Sequence, residues 1–397
     1  MTTPELATTS EVPVPGPVPE LRVGSVHRAE LDNGADVMVV PRPTVPRIEF
    51  RLSVPAGSAL GPTAAAAELL RMGLPLGTAE LDQEQLAERL QDLGGSLQVY
   101  QDLDRLTLQA AALSEAEDEL YRLMAALVAG PHFPRNDLQT EKAKLAEALR
   151  SARATPHFPA HEAVGQLVYG DHPYGRLEPT EGQVARVSRG SLLDLHRLTF
   201  IPRAAQITVV GDVDPRSTLR RLRSAFGAWE GPRRVPLASR VRARVEPELL
   251  FLERPGSVQT VILSASSGPT HGEEGHIALT LATAVLGGGF TSRLMSNLRE
   301  DKGYTYSPHA RLENHLRDGM ASASMEVRSD VTAAALAEIQ HELARLATVA
   351  VPESELRTTK SYLTGARLVM LQTQSGLASA LAQVRGHGLD HRYLERY

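Results

Sequence analysis

One short stretch of the sequence brings together an arginine and a tyrosine whose side chains could serve chemistry at a carbonyl group. Tyr306 follows Arg299 by seven residues, with Arg299 near the end of a predicted helix and Tyr306 at the start of a predicted strand. A charged donor and a phenol hydroxyl directed at one carbonyl oxygen are what stabilisation of an oxyanion requires. Taken singly, each residue also fits a structural role, with Arg299 paired to a surface acid and Tyr306 half-buried in a strand.

The rest of the sequence offers no competing catalytic motif. Cysteine is absent, which excludes thiolate chemistry, and no Gly-x-Ser-x-Gly nucleophile motif occurs. His157 and His161 are four residues apart beside Glu162, a spacing that would suit a metal ion on one helix face. Pro159 lies between them, however, and argues against a regular helix, so we expect no metal there. The other histidines show no ligand grouping, among them His271, His276, His309 and His315.

Length and composition indicate a globular protein of two domains or more. The 397 residues are 42% hydrophobic and 22% charged, with a net charge of −5. This charge provides no basic surface for phosphates, so nucleic acid is not expected as a partner. No apolar run approaches a membrane span, and residues 1–20 show no signal-peptide pattern. We therefore expect a disordered lead-in over 1–20, no membrane partner and a cytoplasmic location.

Secondary-structure signals in the first half predict sheet followed by helices. Asn33-Gly34 between the apolar stretches 26–31 and 37–40 predicts a hairpin. Further strands are predicted at 48–54, 96–100, 106–113 and 205–210. Helices are predicted over 63–72, from the N-cap Asp82 to Leu93, from the capping residue Ser114 to Ala129, from the Pro134 region to about Ala154, and over 191–199.

The order of elements repeats after a stretch rich in Pro and Arg at 231–247, which we interpret as a linker. The sequence therefore predicts an α+β protein of two homologous domains, 21–230 and 248–397, each a mainly antiparallel sheet packed against helices. No closing strand is predicted before Tyr397, which leaves open whether the second domain is truncated or ends elsewhere. Its predicted strands lie at 249–253, 258–265, 305–312 and 319–327, and its predicted helices at 277–286, 292–301 and 331–347.

Ordered landmarks in both halves carry a family resemblance. In the first half they include Leu31-Asp32-Asn33-Gly34, Ala56-Gly57-Ser58, Gly77-Thr78, Leu93-Gly94-Gly95-Ser96-Leu97, His172-Pro173-Tyr174-Gly175 and Val209-Val210-Gly211-Asp212. In the second half they are Ser292-Arg293-Leu294, Leu298-Arg299-Glu300 and Gly303-Tyr304-Thr305-Tyr306. Their order and spacing resemble the pitrilysin/insulinase family of zinc metallopeptidases, which includes the mitochondrial processing peptidase subunits and short bacterial relatives.

Peptidases of this family bind zinc through an H-x-x-E-H helix and a downstream Glu, and the chain lacks most of these ligands. Aligned on Met72 and on Gly77-Thr78, Ala67 and Arg71 stand at the two histidine positions and Leu70 at the general base. Alanine and leucine offer no lone pair, and a guanidinium repels a divalent cation. Glu141 matches the remaining ligand, but one carboxylate does not hold zinc, and we interpret it as an exposed helix charge.

The resemblance also implies roles for residues of the second half. Arg299 and Tyr306 are expected to hold the backbone of a substrate and to stabilise charge on its carbonyl oxygen. Gly287–Gly289 resembles the glycine-rich loop of non-catalytic subunits, where a peptide approaches the backbone, although a plain helix C-cap explains it equally well. Arg293, in the same block, is predicted to contact substrate as well.

The leading hypothesis is a non-catalytic, substrate-binding subunit of a heterodimeric zinc metallopeptidase that cleaves peptides in an enclosed chamber. The chain itself would hold no cofactor, and zinc would belong to a family paralogue that acts as its partner. The alternative is a metal-free homodimer of the same fold that binds peptides or serves as a scaffold. An independent hydrolase with another nucleophile has no supporting motif.

Overall fold

The computed structural model describes residues 21–176, 178–232, 239, 241 and 248–396, which form two α+β units, as predicted. The first unit contains β1 (His27–Glu30), β2 (Asp36–Pro41), β3 (Arg47–Val54), α1 (Ala64–Gly73), α2 (Gln83–Asp92), β4 (Ser96–Gln101), β5 (Leu106–Leu113), α3 (Glu117–Ala129), α4 (Arg135–Ala154), α5 (His157–Tyr169), α6 (Glu181–Arg186), α7 (Arg189–Thr199), β6 (Gln206–Gly211) and α8 (Pro215–Phe226). The second contains β7 (Gln259–Gly268), α9 (His276–Gly287), β8 (His309–Asn314), β9 (Gly319–Arg328), α10 (Thr332–Thr348), α11 (Glu353–Gln372), α12 (Gln374–Gly386) and α13 (Tyr393–Arg396). The predicted lead-in and most of the predicted linker lie outside the described residues.

The first sheet has the strand order β1-β2-β6-β3-β5-β4 and is antiparallel except for the parallel pair of β2 and β6. The predicted hairpin at Asn33-Gly34 is confirmed, because Gly34 adopts a φ of +89° that suits glycine at a tight turn. Asn33 Nδ2 donates to the carbonyl oxygen of Phe226 at 2.8 Å and so ties the hairpin to the end of α8. Phe50, Leu70 and Tyr121 lie in the core beneath this sheet.

Two predicted helix starts have different outcomes. Asp82 forms a capping box with Gln85, whose backbone N–H donates to Asp82 Oδ1 at 2.9 Å, which confirms the start of α2. The prediction that Ser114 caps the next helix is wrong. The Ser114 N–H donates to Pro46 O at 3.1 Å and holds this residue at the sheet, so a 3₁₀ turn intervenes and α3 begins at Glu117. Within the described part of the chain, no helix combines the length and apolar content of a membrane span.

The second sheet has the strand order β7-β9-β8 and is antiparallel throughout. The strand predicted at 249–253 is wrong: these residues form no strand, and the side chains of Leu249 and Phe251 are 81% and 77% exposed. In the first sheet, β3 has a neighbouring strand on each side, β6 and β5. In the second sheet, β7 has only β9 as a neighbour among the described strands. A short apolar stretch without a neighbouring strand has nothing to pair with, and its propensity alone does not form sheet.

Each unit contributes a helix to the sheet of the other. In the first unit α5 follows the long helix α4, and it packs against β7, with His157 Nε2 2.7 Å from Glu326 Oε1 on β9. In the second unit α12 follows the long helix α11, and its residues Leu377 and Leu381 pack with Met38 of the first sheet. The two units are therefore joined by an exchange of equivalent helices.

The helical state of α5 corrects the expectation drawn from Pro159. This proline is the third residue of α5 and lies in its first turn. Backbone N–H groups of the first turn have no partner within a helix, so the missing proline N–H costs nothing there. His157 and His161 consequently lie one turn apart, with their ring centroids 6.4 Å apart.

A buried ion pair attaches α12 to the first sheet. Arg51 Nη2 lies 3.0 Å from Glu49 Oε2 on β3, and the two side chains are 3% and 8% exposed. The same guanidinium donates to Ser375 Oγ at 2.8 Å and to Ser379 Oγ at 3.2 Å on α12. Burial lowers the pKa of Arg51, while Glu49 opposes that shift. The pair thus connects a strand of one unit to the exchanged helix of the other.

Histidines from separate elements meet where the units join. The ring centroid of His271 lies 4.5 Å from that of His276 at the start of α9 and 5.0 Å from that of His387 after α12. Burial, then His387, His276 and Arg367, lower the pKa of His271 to about 3. Burial lowers the pKa of His387 to about 4. Both rings are therefore neutral in the folded protein at neutral pH.

We expect the folded state to lose stability as the pH falls from about 6.5 towards 4. The unfolded chain protonates these histidines near pH 6.5 whereas the folded chain does not, so each contributes a slope of about 1.4 kcal/mol per pH unit in this window. Their stabilising effect is complete above the unfolded pKa. Urea unfolding of His387→Asn should show a smaller slope, and replacement of the exposed His341 should not; an unchanged slope for His387→Asn would contradict the assignment.

Candidate functional site

The helix that aligns with the family's metal-binding motif is α1, and its side chains serve the fold. Thr63 Oγ1 caps it by accepting from the Ala66 N–H at 3.1 Å. Ala67 and Leu70 are 1% and 0% exposed. The Arg71 guanidinium lies 2.8 Å from Glu68 Oε2 one turn earlier. Residues 67 and 70 are therefore closed to a substrate, and residue 71 is held in an ion pair.

Glu141 lies on α4, which packs against α1, and it is not the exposed charge that we expected. The residue is 9% exposed, and its Oε1 accepts from Lys144 Nζ at 2.6 Å. It is shielded because α4 turns this face towards the core. Across the described residues, no group of three or more His, Asp or Glu side chains is arranged to hold a metal ion.

Arg299 and Tyr306 are brought together in the second unit. The guanidinium carbon of Arg299 lies 4.7 Å from the ring centroid of Tyr306 and 5.7 Å from that of Phe290. Arg299 Nη1 also approaches Met295 Sδ at 3.7 Å, and none of the described carboxylates forms an ion pair with Arg299. Tyr306 and Phe290 are 80% and 76% exposed. The arginine is thus a cation held on aromatic faces at the surface.

The structure excludes the two structural roles that these residues could have had, an ion pair of Arg299 with a surface acid and a half-buried Tyr306 in a strand. Arg299 has no acid partner among the described residues, and Tyr306 is exposed and lies before β8 begins at His309. The predicted strand start at 305 is wrong by four residues. Pro308 cannot donate to a sheet ladder, which accounts for the later start.

A π-helical segment, Met295–Asp301, positions Arg299. Leu294 and Leu298 are fully buried and fix one side of it. Asn297 Nδ2 donates to Glu338 Oε2 at 3.0 Å and to Glu342 Oε1 at 2.9 Å, which attaches the segment to α10. The wider π turn is rare and is found often at functional sites. These contacts fix the backbone that carries Arg299, whose partly buried side chain lies against the rings of Phe290 and Tyr306.

Comparison with known proteins identifies the family. The family model described as insulinase, peptidase family M16, matches residues 37–177, and the model described as the peptidase M16 inactive domain matches residues 186–363. The two matches cover most of both units. The chain belongs to the insulinase (M16) peptidase family.

Relatives and solved structures match nearly the whole M16 chain. It is 26% identical to an uncharacterized zinc protease of Mycobacterium leprae, over 91% of this chain and 82% of that protein. It is 22% identical to one of Bacillus subtilis, over 89% of this chain and 86% of that protein. The structure of a peptidase M16 inactive domain from Pseudomonas fluorescens superposes with a TM-score of 0.86 at 23% identity, covering 94% of this chain and 90% of that chain. A protease from Helicobacter pylori superposes with a TM-score of 0.84 at 17% identity, covering 94% and 96%.

The zinc ion of M16 peptidases does not fit the residues that this chain presents. Ala67 and Leu70 carry no donor atom, and Arg71 carries a permanent positive charge. Glu141 remains as the one carboxylate of the set, and Lys144 already occupies it. No step of a reaction can be assigned to a metal on α1 of this M16 chain.

The glycines of the M16 segment separate into packing and surface positions. A Cβ atom on Gly287 would lie 2.4 Å from Ala310 N, and one on Gly288 would lie 2.6 Å from Ala284 Cα. Both glycines are therefore required by the close packing at the end of α9. A Cβ atom on Gly289 would lie 3.6 Å from the Tyr362 ring, an ordinary contact distance. Gly289 is therefore the one of the three glycines whose missing side chain is not explained by packing. The predicted approach of a peptide to the backbone applies to Gly289 alone.

The structure also changes the role of one predicted residue, Arg293, and shows two residues that the sequence patterns did not identify, Glu355 and Phe290. Arg293 is 5% exposed, and its Nε and Nη2 donate to the two oxygens of Glu355 at 2.8 and 2.9 Å, so we assign it to the fold rather than to substrate. Glu355 gave no signal because it lies 62 residues away in the chain. Phe290 directly follows the three glycines and could have been noted as an apolar residue in a turn.

Proposed function

We propose that this chain is a non-catalytic, substrate-binding subunit of a heterodimeric zinc metallopeptidase. In this proposal Arg299 and Tyr306 act at a zinc site that a family paralogue carries, and peptides are cleaved in a chamber that the two chains enclose. The observation that carries the proposal is the partly buried Arg299 guanidinium, which lies against the exposed Tyr306 ring without a carboxylate partner among the described residues, in a chain whose own α1 holds no metal ligand.

The chemistry of the pair supports this role. A guanidinium without a carboxylate partner among the residues that the structure describes can bind a carbonyl oxygen without first breaking an ion pair with them. The phenol of Tyr306 offers a second donor beside it, because its ring centroid lies 4.7 Å from the guanidinium carbon. Donors that are already in place before charge develops on an oxygen give the largest electrostatic stabilisation.

The matches to known proteins support the peptidase class. Relatives from Mycobacterium leprae and Bacillus subtilis are named zinc proteases, and the second family model is described as an inactive domain. A zinc protease needs the ligands that this chain lacks. A partner chain that carries these ligands would reconcile the relatives' names with the missing zinc ligands of this chain.

Purification with and without a paralogue that carries an intact H-x-x-E-H helix tests the proposal. We expect this chain alone to contain no stoichiometric zinc and to cleave no peptide, and the two-chain complex to cleave unfolded peptides with one zinc per complex. A matched control is the complex in which the Glu of the partner's motif is replaced by Gln. Stoichiometric zinc and activity in this chain alone would refute the proposal.

A second candidate is a metal-free homodimer that binds peptides without cleaving them. The exposed aromatic rings of Phe290, Tyr306 and Tyr362 favour it, because they offer apolar contacts to a peptide that need no metal. Under this alternative the isolated chain would be dimeric and would bind unfolded peptides on its own. Sedimentation of the isolated chain with a labelled peptide distinguishes the two candidates.

A further inference from the structure

The turn between β8 and β9, residues 315–318, is held on the first unit by buried hydrogen bonds. Asp104 is 5% exposed, and its Oδ2 accepts from the Leu316 N–H at 2.8 Å while its Oδ1 accepts from Tyr174 Oη at 2.5 Å. The Arg317 N–H donates to the same Tyr174 Oη at 3.2 Å. One carboxylate and one phenol of the first unit therefore accept both backbone N–H groups at the tip of this β8–β9 turn.

Three histidine rings extend from the β8–β9 turn into the junction of the two units. The ring centroid of His315, in the turn, lies 5.1 Å from that of Tyr174. His387, directly after α12, interacts electrostatically with His315 and Asp104. Its ring also stacks on that of His271, with centroids 5.0 Å apart. The three rings thus form a continuous path that begins at the turn.

The junction favours the neutral form of these rings. Neither ring nitrogen of His271 makes a hydrogen bond of ordinary geometry among the described residues, so a protonated ring would bury two N–H donors without an acceptor. Burial is the first cause that lowers the pKa of all three histidines, to about 3 for His271 and to about 4 for His387. Each ring can take up a proton only when water reaches it.

The groups that face the three rings come from several elements. The neighbours of His271 are His276, His387, Arg367, Asn314 and Tyr393; those of His387 are Asp104, Arg105, His271, His276 and His315; and those of His315 are Glu313, Asp102, Asp104, Tyr169 and Tyr174. The carboxylates among them favour protonation of His315 and His387, but burial outweighs this effect.

Two carboxylates oppose the effect of the histidines. Burial raises the pKa of Asp318, in the turn, to about 6, and it also raises the pKa of Asp102. Their protonation therefore favours the closed turn as the pH falls below about 6. The histidines act in the other direction, because the released turn binds their protons below about pH 6.5 and the closed turn does not. Since three histidines outnumber two carboxylates, release takes up at least one net proton.

We propose that acidification releases the β8–β9 turn from Asp104 and Tyr174 while both sheets stay folded, so that this contact is an acid-sensitive latch between the two units. The latch is closed at neutral pH, where the three rings are neutral and buried. Its release brings His315 and His387 into water. The latch contains no residue of the Arg299 segment and does not depend on the proposed peptidase role.

Hydrogen exchange of the full chain tests the latch, because the N–H groups of Leu316 and Arg317 report directly on the turn. We expect their protection factors to fall at least about tenfold per pH unit between about pH 6.5 and 5. The N–H groups of Phe50 and Leu52, in the core of the first sheet, report on global unfolding and should stay at least about tenfold more protected at each pH. Equal protection of turn and core, or turn protection that does not change with pH, would overturn the proposal.

Substitutions separate the contact from its sensor. Tyr174→Phe removes the hydroxyl that accepts from the Arg317 N–H, and it should lower the protection of the two turn N–H groups at least about tenfold at pH 7 with the core unchanged. His387→Asn and His271→Asn should each reduce the pH dependence of turn protection by up to about tenfold per pH unit. His341→Asn, an exposed position on α10, is the control and should not. An unchanged pH dependence in both junction variants would show that these histidines are not the sensor and would refute the latch.

Discussion

Replacing Arg299 by alanine is expected to lower turnover by the proposed two-chain complex about 10²- to 10³-fold, the usual cost of removing an oxyanion donor. The Arg299 side chain is partly buried, and its described contacts are with the rings of Phe290 and Tyr306 and with Met295. Its loss therefore removes a donor without opening the core. Steady-state kinetics on a peptide substrate would measure the effect as a fall in kcat, with the melting temperature as the check on folding.

Three further variants make the Arg299 prediction specific. Arg299→Lys retains the charge but not the planar fork, so it should restore only part of the turnover. Tyr306→Phe removes only the hydroxyl and should lower kcat with little change in partner affinity. Arg357→Ala, an exposed arginine on α11, is the control and should leave kcat unaltered. Full activity of Arg299→Ala would place the chemistry elsewhere.

Replacing Arg51 by alanine is expected to lower the free energy of unfolding by about 3–5 kcal/mol. The change leaves the carboxylate of Glu49, 8% exposed, with only the Arg47 guanidinium, which lies 3.3 Å away on a side chain that is 39% exposed. It also removes the hydrogen bonds to Ser375 and Ser379 on α12. Urea unfolding monitored by circular dichroism would measure the loss.

The matched control for Arg51 is Arg28→Ala. Arg28 also joins the first sheet to the C-terminal part of the chain, through an ion pair of 2.8 Å with Asp390, but both side chains are 47% exposed. Solvent screening limits such a pair to about 0–1 kcal/mol. Equal effects of the two substitutions would show that burial does not set the strength of the attachment of α12.

The sequence correctly predicted those elements that are determined by residues adjacent in the chain. Asn33-Gly34 and the cap at Asp82 act within a few residues of themselves, and both are confirmed. The two α+β units are confirmed for the same reason, since alternation and amphipathic spacing repeat along the chain. The strand predicted at 249–253 is wrong because a strand forms only beside a second strand, and the residues 249–253 do not determine whether one is present.

Contacts between distant segments decided the parts of the site that could not be predicted. The pairing of Arg293 with Glu355 and the attachment of Asn297 to α10 depend on tertiary packing. The π-helical backbone at Arg299 has no sequence signature of its own. The proximity of Arg299 and Tyr306, by contrast, was accessible from the family spacing, and the structure places the two side chains in contact.

The exchange of α5 and α12 has a consequence for the order of events during synthesis. The first sheet is complete once residue 211 has been made, but its face at Met38, Val40 and Val210 stays uncovered until residues 374–386 emerge. A nascent chain must therefore carry an exposed apolar surface through the translation of more than a hundred residues. Its long-range closure also makes the native state high in contact order and slow to reach. The packing of the first unit is therefore completed only after α12 has been synthesised, although this unit comes first in the chain.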